Sequence, residues 1–243
     1  TEVFSGNPEV LQMAGERAYD IGTVDIQIGD YMKIAITAFE KVLEQINKEE
    51  QHAEYIKAQN YLGQSYWSLS KVKDTLVNCS KSIQYFNEIL KTITIESHPF
   101  EYAKLKSRIG NTYTAFAEVD RRKENCRIAI DAYNEALKVF TILSFPVEHA
   151  RTHNNLGGAY LILAEEIDKP DNYKRAIRSF DEALRVKTIV DNPKLLALTK
   201  NNIANTYARL SDIEDSERNL KFAIKSYEDV LEIQTKVKAP LQY

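Results

Sequence analysis

Asn154-Asn155-Leu156-Gly157-Gly158-Ala159-Tyr160 is the stretch that decides how this chain is read, because its pattern returns at one fixed interval. Tyr66, Tyr113, Tyr160 and Tyr207 stand 47 residues apart, and Gly63, Gly110, Gly157 and Ala204 keep the same step. A second ladder, Phe39, Phe86, Tyr133, Phe180 and Tyr227, is followed four places on by Leu43, Leu90, Leu137, Leu184 and Leu231. Five copies of 47 account for 235 of the 243 residues. In such an array each unit buries its apolar face on its neighbours and the core runs lengthwise. The expected fold is all-α, an α-solenoid of five antiparallel helical hairpins, with residues 1–243 forming one array. The repeats fall at 5–51, 52–98, 99–145, 146–192 and 193–239, and 240–243 opens a sixth.

Composition fits a water-exposed array. The chain is 44% hydrophobic and 28% charged, with a formal net charge of −3, an ordinary globular balance. No apolar run reaches the ~18 residues that span a bilayer, and Thr1-Glu2-Val3 does not open a signal peptide, so a cytoplasmic location is expected. Cys79 and Cys126 are one period apart. Helices so related lie ~8–10 Å from each other, too far for a disulfide, and two free buried thiols are expected.

Along the chain, Asn7 before Pro8 reads as a helix cap, with Leu11, Gly15, Ala18 and Tyr19 on one face. Gly22 and Gly29 bracket a loop, and Asp30 caps a second helix with Ile34, Ala35, Ala38, Phe39, Val42, Leu43 and Ile46 inward. In the fourth repeat Pro146 opens a helix whose stripe is Ala150, His153, Leu156, Gly157, Tyr160, Leu163 and Ala164. The linker Asp168-Lys169-Pro170-Asp171 stops it, and Ala176, Ile177, Phe180, Ala183 and Leu184 face inward on the next helix. Pro99, Pro146, Pro193 and Pro240 recur where a missing N–H costs little. Each unit is thus a hairpin with about 20 residues per helix. Asn78, Asn125, Asn172 and Asn219 begin the second helices, and Thr94, Thr141, Thr188 and Thr235 end them.

These residues resemble the tetratricopeptide repeat, whose first helix (A) reads W-x2-L-G-x2-Y and whose second (B) carries A-x3-F. Here helix A gives His153-x2-Leu156-Gly157-x2-Tyr160 and Lys106-x2-Ile109-Gly110-x2-Tyr113. Helix B gives Ala35-x3-Phe39, Ala129-x3-Tyr133, Ala176-x3-Phe180 and Ala223-x3-Tyr227. The glycine lets A and B touch, the alanine seats B on the next A, and the aromatics fill the wedge. Two departures stand out: Gln59, Lys106, His153 and Lys200 occupy the tryptophan place, and the period is 47 rather than about 34. The longer period resembles the tetratricopeptide arrays of archaeal and bacterial signalling proteins. The resemblance implies a right-handed superhelix with helix A lining the concave wall, and a protein or peptide as partner.

On that wall the candidate binding residues are those facing away from the Leu-Gly-Tyr stripe. They are Lys57, Asn60 and Gln64; Lys104, Arg108 and Asn111; Arg151, Asn155 and Gly158; and Leu198, Asn201, Asn202 and Asn205. Asparagine is a poor helix former that offers both donor and acceptor, so the row suits peptide backbone; alternatively the amides bridge neighbouring helices. The helix-A windows sum to +5 in a chain of net −3, which favours an acidic or carboxylate-ended ligand. Within the family a lysine, arginine and asparagine clamp holds a C-terminal carboxylate. Lys104 and Arg108 match two of its places, whereas Tyr61 and Arg17 stand where asparagines belong, so the full clamp is not expected.

His149 and His153 have a zinc-compatible spacing, but Tyr55, Tyr102 and Leu196 take the place of His149 in other units, so packing is the expected role. Trp67 faces either the groove or the core. With no phosphate loop, nucleophile elbow or carboxylate pair, no catalytic residue, metal or cofactor is expected. The leading expectation is a protein-binding scaffold, not an enzyme, without membrane or nucleic acid. The alternatives are an RNA-reading helical array or a self-assembly or sensor arm, with self-association through the opened sixth repeat.

Overall fold

In a computed structural model, which describes residues 7–23, 28–186 and 192–238, the chain is built from α-helices with no strand among the described residues. It divides into two compact units, residues 1–120 and 121–243. The first holds α1 (Pro8–Gly22), α2 (Ile28–Gln45), α3 (His52–Ser70), α4 (Thr75–Ile89) and α5 (Pro99–Ala117). The second holds α6 (Arg122–Leu137), α7 (Pro146–Ala164), α8 (Lys169–Leu184), α9 (Pro193–Ser211) and α10 (Ser216–Lys238). The division falls between the two helices of the third repeat.

The period becomes geometry at the contact between the helices of a hairpin. A Cβ built on Gly63 would stand 2.5 Å from the Phe86 ring, and one on Gly157 would stand 2.5 Å from Phe180, below any tolerable contact. Hydrogen at these places lets helix B lie on helix A with its phenylalanine fully buried, at 1% and 0% exposure. Burial of such a side chain is worth about 2–3 kcal/mol. Helix B then packs on the next helix A: Met32, Ala35, Ile36, Phe39 and Val42 of α2 share a core with Ala58, Leu62, Tyr66 and Leu69 of α3. In the second unit Ala176 and Phe180 of α8 meet Ile203 of α9, while Tyr173 and Ile177 meet Leu210.

The turn inside each of the four later hairpins follows the period too. Asp74, Arg121, Asp168 and Asp215 are left-handed, at φ 47, 34, 43 and 43°. That conformation is uncommon for residues with a Cβ and here redirects the chain into helix B. Four places on, the buried Asn78, Asn172 and Asn219 donate Nδ2–H to the carbonyls of Lys73, Ile167 and Glu214 at 2.8, 2.8 and 2.6 Å. These asparagines, at the start of helix B, thus satisfy a loose carbonyl of the turn through the amide N–H and not through the side-chain oxygen.

Other local expectations shift for similar reasons. Asn7 caps α1, accepting from the Glu9 N–H at 3.0 Å, and Pro99, Pro146 and Pro193 open α5, α7 and α9, while Pro240 lies outside the described residues. Asp30 does not cap α2, which starts at Ile28; it sits in the first turn and pairs with Lys33 at 2.7 Å. Gly29 is helical, and Ile34 is exposed while Met32 and Ile36 are buried in its stead. Lys169, Pro170 and Asp171 form the first turn of α8 and are not a linker. The A helices α3, α5, α7 and α9 have 19 residues, but α4, α6 and α8 have only 15 or 16, because Thr94 and Thr141 lie beyond the B helices. Their hydroxyls accept from the N–H of Ser97 and Ser144 and shape the approach to the next helix A. Thr188 lies outside the described residues, and Thr235 bonds back within α10. Cys79 and Cys126 are free and buried; burial pushes the Cys126 thiol up to about 12.

Candidate functional site

Between α3 and α5 lies a pocket of about 270 Å³. Ala53, Ile56, Lys57 and Asn60 of α3 form one wall, Phe100, Glu101, Lys104, Leu105 and Arg108 of α5 the other, and Ile89 and Ile93 lie beneath. Successive A helices present these side chains because their opposite stripe, Ala58, Leu62 and Tyr66 in α3, is committed to the core. The pocket joins an apolar floor to a cationic rim.

Arg108 is the feature of this pocket that calls for a chemical account. Its guanidinium donates to Asn60 Oδ1, and among the described residues no carboxylate pairs with it. Burial pulls its pKa down to about 10, with Tyr19 and Tyr61 opposing the fall. A half-buried cation whose partner is a neutral amide retains a large appetite for an anion. Lys104 lies over the Phe100 ring at 5.8 Å. Lys57 is already tied to Glu16 at 2.7 Å. Gln64 is held between Tyr19 OH and the Asn60 carbonyl, each at 3.3 Å, outside the pocket, and the half-buried Asn111 is outside it as well.

In the second unit Leu198 and Asn201 line a pocket of about 460 Å³ with Pro193, Lys194 and Ala197 of α9 and Val230, Ile233 and Gln234 of α10. Arg151 is exposed, Asn155 and Asn202 are half-buried, and none of the three belongs to that pocket. Asn205 accepts from Tyr227 OH at 2.6 Å, and Gly158 faces open space. The asparagine row is thus partly a set of bridges between helices. The positive wall is also thinner than its charge count, because Lys200 pairs with Asp229 and Arg209 with Glu165. The apolar floor of the first pocket was not anticipated; Ile93 and Phe140, buried and one period apart, were its sequence signal.

The histidine pair is packed. His149 Nδ1 lies 2.8 Å from the Phe140 carbonyl, and the His149 and His153 rings meet edge to face at 4.5 Å. Burial, and then the neighbouring His149, lowers the His153 pKa to about 4. Among the described residues no group of three or more His, Cys, Asp or Glu could hold a metal. Trp67 is half-buried beneath Lys71, whose Nζ is 3.4 Å from the ring centroid. No helix of the described residues is long and apolar enough to cross a membrane.

No protein-family model matches the chain, and no curated protein sequence matches it. Among solved structures, BtubC (BKLC) from P. vanneervenii aligns over 95% of this chain and 91% of its own at 17% identity and a TM-score of 0.47. The crystal structure of the MamA protein is similar over 95% of this chain and 96% of that chain, at 18% identity and a TM-score of 0.54. With the period in the sequence and the hairpins described above, that likeness gives this chain an all-α, helical-repeat solenoid fold.

Proposed function

We propose that the chain is a tetratricopeptide-like scaffold without catalytic activity, which binds a segment of another protein along its helix-A surface and seats an acidic side chain in the pocket between α3 and α5. The observation that carries this reading is the Arg108 guanidinium, half-buried beside Lys104 and above an isoleucine floor, with Asn60 as its one hydrogen-bond partner among the described residues. An acidic residue next to an aliphatic one satisfies both parts of that site: the carboxylate forms a charge-assisted bond in a low-dielectric setting, and the aliphatic neighbour covers Ile89 and Ile93. A net charge of −3, with Lys57, Lys200 and Arg209 already in ion pairs, does not favour a nucleic-acid backbone. The two free buried thiols support a cytoplasmic, reducing compartment.

The test uses fluorescent hexapeptides carrying Leu-Asp at their centre, compared with Leu-Asn versions, in equilibrium titration. The Asp peptides bind at least tenfold tighter, their advantage shrinks as salt rises, and Arg108→Gln with Lys104→Gln removes it while the helical circular-dichroism signal is unchanged. Equal affinity for Asp and Asn peptides would discard the acidic pocket. Failure of a broad peptide panel to bind at all would discard the scaffold reading.

A further inference from the structure

The turn that joins α3 to α4 departs from the other three turns with a left-handed joint, in charge and in polarity at once. At its first and third places it carries Lys71 and Lys73. The same places hold Glu118 and Asp120, Glu165 and Ile167, and Asp212 and Glu214 in the later turns, five acids out of six. Just beyond the left-handed Asp74 it carries Leu76 and Val77, where the others have Lys123 and Glu124, Pro170 and Asp171, and Glu217 and Arg218. Val72, Leu76 and Val77 are 52, 49 and 58% exposed. Single exposed aliphatic side chains are common on protein surfaces, and Val119 and Ile213, at the place of Val72, are of that kind. Three within six residues, framed by lysines where the other turns carry acids, form a patch with a chemistry of its own.

The surroundings keep that patch open. Lys71 is laid over the Trp67 ring, with Nζ 3.4 Å from its centroid, which anchors this ammonium group at the turn. A Cβ on Gly29, at the start of α2, would lie 3.6 Å from Val72, so the glycine leaves that side of the valine bare. Asp74 is the one acid among residues 71–81, against Lys71, Lys73 and Lys81; it stands 4.0 Å from Lys73, with both side chains exposed. We propose that this turn docks on the surface of an anionic lipid bilayer, with Val72, Leu76 and Val77 entering the acyl boundary and Lys71 and Lys73 at the anionic headgroups. A turn of seven residues offers much less than the ~800 Å² per partner that a stable protein interface buries, whereas a soft surface admits a few protruding side chains. Lysine suits such a boundary, because its stem lies in apolar surroundings while its ammonium group meets water and anionic lipid. Contact of this kind needs no spanning helix; the expectation of no membrane partner rested on the absence of an apolar run long enough to cross.

Cosedimentation of the full chain with lipid vesicles tests this. Vesicles of about 30% phosphatidylserine in phosphatidylcholine should bind at least tenfold more tightly than phosphatidylcholine alone, and about 500 mM salt should remove most of that preference. Leu76→Ser with Val77→Ser should weaken binding at least tenfold. Lys71→Glu with Lys73→Glu, which gives this turn the acids of the others, should abolish the preference for anionic lipid. All four side chains are exposed, so the helical signal stays unchanged. Ile213→Ser, at the place of Val72 in an acidic turn, should bind as the parent does. Absence of binding to either vesicle overturns the proposal, as does equal binding to both. So does parental binding by either turn variant, or a loss in Ile213→Ser as large as theirs. The pocket between α3 and α5 is read separately: its first residue, Ala53, lies about 27 Å along α3 from Lys71. The turn variants therefore keep the Asp-peptide preference, and failure on vesicles leaves that preference untouched.

Discussion

Residues 52–117 and 193–238 carry the same hairpin in two settings, and the difference shows what a following helix A adds to a pocket in this fold. Ala53, Ile56, Lys57, Asn60 and Ile89 of the first pocket stand three periods before Lys194, Ala197, Leu198, Asn201 and Val230 of the second. The two pockets are one structural position, seen with α5 in place and without a following helix A among the described residues. In the first setting α5 supplies Phe100, Lys104 and Arg108, and the site is narrow and cationic. In the second the pocket is wider and lined mainly by aliphatic groups. A single repeat therefore does not define the narrow, cationic pocket; a pair of consecutive A helices does.

The largest effect should separate the two hairpins by stability. Phe86→Ala removes a side chain that is 1% exposed and should cost about 3–5 kcal/mol in denaturant unfolding. Tyr227→Ala, at an equivalent place that is 36% exposed, should cost less than about 1 kcal/mol. Equal losses would show that the Tyr227 ring is covered in solution.

Acid comes next, and it acts within residues 121–243. The folded His153 pKa, lowered to about 4, lies below the ordinary value of 6.5. Between these values the unfolded chain binds a proton that the folded chain refuses. Stability is therefore fully present above pH 6.5 and falls as the pH drops towards 4, by about 2 kcal/mol once partial exposure is allowed for. His153→Gln should flatten the slope of unfolding free energy against pH over that interval.

Gly63→Ala should cost about 1–3 kcal/mol, because its methyl group would stand 2.5 Å from Phe86. Gly158→Ala, one residue beyond the equivalent Gly157 and facing open space, should instead gain up to about 1 kcal/mol from helix propensity. Thermal melts of the two variants compare a glycine required for packing with one that is not. The smallest change is expected at the pocket itself. Arg108→Met should leave stability within about 1 kcal/mol of the parent, since an apolar side chain of similar length replaces a half-buried cation, and should abolish the preference for Asp peptides.

The repeat, the all-helical fold and the hairpin contacts were legible in the sequence because a glycine, an alanine and an aromatic recur at fixed offsets, and each has a steric reason to do so. The pocket was half legible. Lys57, Asn60, Lys104 and Arg108 follow from helical spacing, but which of them meet depends on how adjacent A helices are juxtaposed, and the period does not encode that. Hence Gln64 and Asn111 fell outside, while Ile89 and Ile93, at and just beyond the end of a B helix, formed the floor. The charge count misled for a related reason: Glu16, Asp229 and Glu165, which neutralise Lys57, Lys200 and Arg209, lie outside the helix-A stretches that carry those cations or just past the end of one. The left-handed joints were missed because Asp74, Arg121, Asp168 and Asp215 include no glycine, the residue that usually marks such a place.

Those joints also fix what can be cut and rejoined. At Asp74, Asp168 and Asp215 the joint is settled by neighbours close in sequence, the left-handed residue and the asparagine four places later, so the same geometry recurs at these three places. Two such joints, one period apart, bound a cassette containing one B helix and the A helix that covers it. Exchange from joint to joint adds or removes one whole period and keeps the inward stripe in phase, whereas a change of length within a helix turns that stripe away from its partners. The unit bounded in this way is offset from the hairpin: it runs from the start of one helix B to the end of the following helix A.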